Sequence, residues 1–99
     1  MAFKIIWSPE ALEDLRDLTN YISQANLFAA EKTGFAILQK TAQLALHPRM
    51  GRIVPERKDP AIRELMHPPF RIVYRVIEPA GREEILRLWH GARGTPVLL

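Results

Sequence analysis

Two runs in the last third of the chain leave little freedom for its fold: Phe70-Arg-Ile-Val-Tyr-Arg-Val76 and Glu84-Ile-Leu-Arg-Leu-Trp-His90. Both are strand-like, and both place arginine inside apolar surroundings. In the first, strict alternation puts Phe70, Ile72, Tyr74 and Val76 on one side and Arg71, Val73 and Arg75 on the other. One side has a core to cover; the other is cationic and suited to an anionic ligand or an acidic partner. The same alternation in the second run groups Arg87 with Ile85 and Trp89.

The rest of the chain supplies something for that sheet to pack on. Phe3–Trp7 reads as a first strand. Ser8-Pro9-Glu10 is a helix start, with serine as N-cap, proline in the first turn and a carboxylate near the positive end of the dipole. Ala11, Leu12, Leu15, Leu18 and Ile22 then recur at helical spacing, and this helix ends near Gln24–Asn26. A second helix begins around Asn26–Phe28 and runs through Phe35, Leu38, Ala42 and Ala45 to His47-Pro48. Gly34 within it costs about 1 kcal/mol relative to alanine, so it marks either a close helix–helix approach or a tolerated position.

Residues 48–60 hold three prolines and a glycine and read as irregular. Strands follow at Ile62–Met66, Phe70–Ile77 and Glu84–His90, separated by Pro68-Pro69 and by Pro79-Ala-Gly81. The expected architecture is α+β, in the order βααβββ, with a helical hairpin on one face of a mostly antiparallel sheet.

Size and charge bound the function. The 99 residues suit one domain spanning 1–99. Cysteine is absent, which removes disulfides and thiolate metal sites. Three scattered histidines make no metal constellation, and there is no glycine-rich phosphate loop, so neither metal nor cofactor is expected. The opening residues lack the apolar core of a signal peptide, and no run reaches the ~18 apolar residues of a membrane span. A soluble, cytoplasmic protein is the expectation. Charge is uneven: residues 1–48 hold four basic and five acidic side chains, while residues 49–99 hold ten basic and six acidic. Nine of those ten are arginine, whose planar fork suits phosphates and carboxylates.

The order of these features resembles the RelE/ParE superfamily of toxins from bacterial type II toxin–antitoxin modules. The likeness runs from Trp7-Ser-Pro-Glu-Ala11, Asp14-Leu15 and Tyr21-Ile22 through Pro48, Gly51-Arg52 and Val54-Pro-Glu56. It continues in Ile62-Arg-Glu-Leu65, Phe70-Arg-Ile-Val-Tyr-Arg75 and Trp89-His-Gly-Ala-Arg93. The resemblance implies a helical hairpin on a curved sheet, with a concave face covered by the antitoxin's tail. It implies a growth inhibitor neutralised by a cognate antitoxin in a hetero-oligomer.

Two targets are open under it. RelE-like members cut mRNA on the ribosome without metal; ParE-like members poison DNA gyrase.

For the nuclease, Arg71 and Arg93 match arginines placed on the scissile phosphate, where they would stabilise growing charge. His90 is the candidate acid or base, with His67 and Glu64 behind it. Arg52, Arg63 and Arg75 are the candidate binding residues. Arg71 and Arg75 lie about 13 Å apart along the strand and either span phosphates or pair with carboxylates such as Glu64 or Glu78. The nuclease pattern is incomplete here. Ile62 and Glu64 stand where RelE carries lysines, and Gly94–Leu99 lacks a terminal tyrosine or histidine for base stacking. The gyrase reading is therefore preferred.

Overall fold

The computed structural model describes residues 2–98. Strand β1 (Lys4–Trp7) leads into helices α1 (Pro9–Ser23) and α2 (Leu27–Ala42), and a single 3-10 turn at Gln43–Ala45 follows. Strands β2 (Arg52–Ile53), β3 (Ile62–His67), β4 (Phe70–Ile77) and β5 (Arg82–His90) complete one five-stranded sheet in the order β1-β5-β4-β3-β2. The β1–β5 pair is parallel and every other pair is antiparallel. The helical hairpin packs on one face.

The helix starts obey their capping chemistry. Ser8 Oγ accepts the amide of Ala11 at 3.0 Å and donates to the Leu86 carbonyl, so one hydroxyl caps α1 and ties it to β5. Asn26 Oδ1 accepts the Ala29 amide at 3.0 Å and starts α2. At Gly34 an added Cβ would sit 3.3 Å from the Thr19 methyl, so this glycine does allow the two helices to approach. The core lies between the hairpin and the sheet. Ala11, Leu18 and Ile37 from the helices meet Leu65, Ile72, Tyr74, Val76, Ile85 and Leu88. Burying each large member contributes about 1.5–3 kcal/mol.

Three local expectations are revised. Helix α2 stops at Ala42 rather than at His47, its last residues tightening into the 3-10 turn. Within the stretch read as irregular, Arg52 and Ile53 pair with Glu64 and Arg63 and add an edge strand. The alternation of β5 breaks midway. Val73 pairs with Arg87 but Tyr74 pairs with Ile85, leaving Leu86 as a bulge. One extra residue turns Arg87 away from Ile85, onto the sheet face opposite the helices with Trp89.

Gly51 holds the β2 edge. A Cβ there would lie 2.5 Å from the Glu64 carbonyl oxygen and 2.7 Å from the Tyr74 hydroxyl. Only glycine fits while its amide donates to that hydroxyl at 3.0 Å.

Candidate functional site

The face of the sheet away from the helices is where the candidate arginines were expected to meet an anion. Arg71 does project there, opposite Trp89 on β5 and Met66 on β3. It is not free: its side chain is 8% exposed as a residue and bound by two carboxylates. Nε donates to Glu64 Oε1 at 2.6 Å, while Nη1 and Nη2 reach Glu56 Oε2 and Oε1 at 3.0 and 2.9 Å. Glu64 is itself almost fully buried, and its other oxygen accepts from Arg52 Nε at 2.6 Å. The result is a chain of alternating charge, Arg52–Glu64–Arg71–Glu56. The hydrogen bonds from Arg71 hold the Glu56 carboxyl down to about 2. Those same bonds, with Glu56 first and Glu64 next, raise the Arg71 pKa against the opposing effect of burial. Of the two sequence alternatives for Arg71, phosphate or sheet carboxylate, this geometry realises the second.

Of the other two proposed catalytic residues, Arg93 stacks on Trp89, the cross-strand neighbour of Arg71, but His90 does not converge on it. Adjacent strand positions alternate, so His90, paired with Phe70, projects on the helix side while Arg71 projects on the other. His90 Nδ1 accepts the Ala92 amide at 3.1 Å, and its ring meets Phe70 edge to face at 5.4 Å. Its ring lines a cleft of about 670 Å³ with Asp14, Asp17, Tyr21, Phe70 and Arg93. Asp14 in that wall is already paired with Arg87, which leaves Asp17 and Arg93 as the opposite charges beside the ring. Arg93 lies over the Trp89 ring at 4.2 Å from its centroid, with Arg87 at 5.0 Å.

Among the candidate binding residues, Arg52 is largely exposed beyond its Glu64 contact. Arg63 is committed to backbone, donating to the carbonyls of Pro60 at 3.0 Å and Gly51 at 2.9 Å. Arg75 makes no ion pair among the described residues and lies beside Glu84 in register. Of the weaker acid–base candidates, His67 has its pKa lowered by burial and by the nearby Lys40. Glu64 serves as a counterion. Among the described residues no cluster of histidine, aspartate and glutamate can hold a metal ion, and no helix is long and apolar enough to cross a membrane.

Two participants escaped the sequence reading. Glu56 sits in the irregular stretch and reaches Arg71 only through the fold. Asp14 on α1 takes Arg87 bidentately, at 2.7 and 3.0 Å, and also accepts the Leu88 amide at 3.0 Å. It thereby caps the edge of β5 that the short β1 leaves uncovered. Its acidic position on the helix was visible; its partner depended on the bulge at Leu86.

Comparison with known proteins decides the family. Residues 5–94 match the model of the ParE toxin of the type II toxin–antitoxin system parDE. This chain belongs to the ParE toxin family. As a member it is the toxin component of a type II toxin–antitoxin system. The curated toxin RelE2 of Caulobacter vibrioides is 32% identical over 91 residues, covering 91% of this chain and 97% of that protein. Among solved structures, a chromosomal ParDE system from P. aeruginosa is similar with a TM-score of 0.73 at 23% identity, over 90% of this chain and 96% of that one. An arginine double mutant of E. coli RelE in the free state gives 0.66 at 16% identity, over 95% and 88%. The toxin–antitoxin complex RelBE2 from Mycobacterium tuberculosis gives 0.58 at 22%, over 91% and 99%. The fold expected of this ParE-family toxin, two helices on an open, mostly antiparallel sheet, is the fold these structures share.

Proposed function

We propose that this ParE-family toxin inhibits growth in the bacterial cytoplasm by a protein contact that poisons DNA gyrase, rather than by cutting mRNA. One observation carries the reading: the guanidinium best placed by sequence to hold a scissile phosphate already holds two carboxylates. His90, the candidate proton carrier, stands on the other side of the sheet. A phosphate at Arg71 would have to displace Glu56, and the acid–base group would still be absent. Exposed basic groups, including Arg52, Arg57 and Lys58, remain for contact with a partner surface.

A cognate antitoxin is the second partner we infer. Its support is the family, together with an unpartnered apolar groove on the outer side of the helical hairpin. The groove, about 690 Å³, is lined by Leu12, Leu15, Leu27, Phe35 and Leu38, with Arg16 and Glu31 among its polar residues. Phe35 is 62% exposed, which a lone soluble domain has no reason to maintain. An amphipathic helix with apolar residues at three- and four-residue spacing fits such a groove.

The test pairs an assay on the purified protein with one in cells that express it. Gyrase with supercoiled DNA is expected to accumulate cleaved DNA when the toxin is added, and transcript ends mapped after induced expression are expected to be unchanged. Translation-coupled mRNA cuts lost in His90→Ala would replace this reading with the nuclease. Normal growth on expression would leave a partner-binding relative without toxicity. Phe35→Asp is expected to weaken antitoxin binding at least tenfold.

A further inference from the structure

Among the described residues, the buried side-chain nitrogen and oxygen atoms that lack a hydrogen-bond partner fall on two consecutive positions of β5, Arg82 and Glu83. Both positions border β1. Arg82 stands beside Lys4 on the outer face, its Nε 3.8 Å from Glu84 and so beyond a hydrogen bond. Glu83 stands beside Ile5 on the helix side, fully buried, with neither carboxylate oxygen bonded. A buried polar group without a partner works against whatever keeps water from it. Here that is β1.

This strand is poorly placed to resist. It has four residues, none of them fully buried, and only β5 as a neighbour. At its start the Phe3 amide donates to the Ala45 carbonyl at 2.8 Å and the Lys4 amide to the Gly81 carbonyl at 3.0 Å. Nor does any charge among the described residues answer Glu83. In register it meets Ile5 and Val76. The helices and the 3-10 turn direct Ala11, Leu18, Ile37 and Leu44 into this layer, and none of these titrates. Asp14 of α1 is taken by Arg87 and the Leu88 amide, further along β5. Lys4, Arg82 and Glu84 lie on the opposite face. The titratable group that feels Glu83 is the Tyr74 phenol, on which Arg49 and Arg63 also act. An ionised Glu83 therefore puts an uncompensated charge in an apolar layer. Lifting β1 admits water to Glu83 and to Arg82 Nε together, and breaks far fewer contacts than unfolding the domain.

We propose that β1 is a proton-controlled flap: a protonated Glu83 keeps it seated on β5, and an ionised Glu83 lifts it while the rest of the sheet stays folded. The open form is a minor, transient state. Its population rises as pH climbs from about 4.5, where the hydrated carboxyl titrates, to about 7, where the buried one does, and is then constant. Lifting uncovers the edge of β5 together with Phe3, Ile5 and Trp7, which otherwise pack on the core. The free toxin is then a better protease substrate on the alkaline side of neutrality than on the acid side. The proposal goes beyond the gyrase and antitoxin readings and does not depend on either.

Native-state hydrogen exchange on the whole chain tests it, with rates at pH 5 and pH 8 each normalised to the intrinsic rate at that pH. Amides of residues 3–8 are expected to be less protected than those of β4 by about tenfold or more. Low urea should leave their exchange unchanged while it accelerates exchange in β4. From pH 5 to pH 8 the β1 protection factor should fall by about tenfold or more. In Glu83→Gln that fall should disappear, and Glu83→Met, which also cannot ionise, should behave the same way. Thermal melts confirm that each variant is folded. Equal protection in β1 and β4 would overturn the flap, since the strand would then open only when the whole domain does. A wild-type β1 indifferent to pH, or an undiminished fall in both variants, would overturn the control by Glu83.

Discussion

The two faces of the sheet each bury a glutamate on a central stretch, and they treat it in opposite ways. Glu64, on the face away from the helices, is 1% exposed and shared between Arg71 and Arg52. Glu83, on the helix side between Ile5 of β1 and Val76 of β4, is fully buried, and among the described residues neither carboxylate oxygen has a partner. Burial alone pushes its carboxyl up to about 7. The same residue type is thus ion-paired in one layer and held back from ionising by its burial in the other. What separates them is the company each keeps. Arginines reach Glu64 from two neighbouring strands, whereas the apolar helix layer offers Glu83 none. Tyr74, also on the helix side, shows the consequence. Its pKa is raised first by its own burial, and the nearby Glu83 adds to the effect.

The harshest way to break this contrast is Arg71→Ala. It leaves Glu64 buried with only the largely exposed Arg52 and strips Glu56 of its partner. Removing one member of a buried pair costs about 3–5 kcal/mol, so a large drop in the denaturation midpoint is expected. A loss below about 1 kcal/mol would mean that water, not arginine, neutralises Glu64.

Glu83→Gln comes next and acts in a pH-dependent way. The folded state holds the proton more tightly than the unfolded chain, whose carboxyl titrates near 4.5. Stability from this group is complete below about 4.5, falls as pH rises to about 7, and is then flat. The wild-type loss across that window is roughly 3 kcal/mol. Glutamine cannot ionise, so urea melts at pH 5 and pH 8 should differ less for the variant by about that amount. Equal pH dependence in both proteins would place the titration elsewhere.

Glu56→Gln should have the smallest effect. Its carboxyl is held near 2, below its ordinary 4.5, so its contribution is present above 4.5 and fades as pH falls toward 2. A third of this side chain meets solvent, which screens the pair. A loss of about 1 kcal/mol at pH 7, vanishing near pH 2, is the expected result of acid titration followed by fluorescence.

How far the sequence reached follows from the same physics. Caps and periodicity are local, so the Ser8 and Asn26 helix starts, the hairpin and the three long strands were legible. The bulge at Leu86 was not, because nothing in Ile85-Leu-Arg-Leu88 distinguishes an unpaired residue from a paired one. That single residue moved Arg87 to the other face and gave it Asp14. Likewise the pairing of Arg71 with Glu64 was one of two readings, because a strand pattern shows which way a side chain points but not what waits there. Glu56 was hidden for a different reason: loop residues carry no period from which to infer their neighbours. The two-residue β2 is too short to leave any pattern.

The parallel contact between β1 and β5 has a consequence for how such a chain is made. Lys4 takes its place beside Arg82, so β1 has no strand to pair with until β2, β3 and β4 have all been made. Pairing across so long a separation is slow, and an incomplete chain has nothing to stand in for β5. A chain released before β5 therefore keeps the Arg71 network but leaves β1 unpaired and one edge of β4 open, a fragment exposed to proteases.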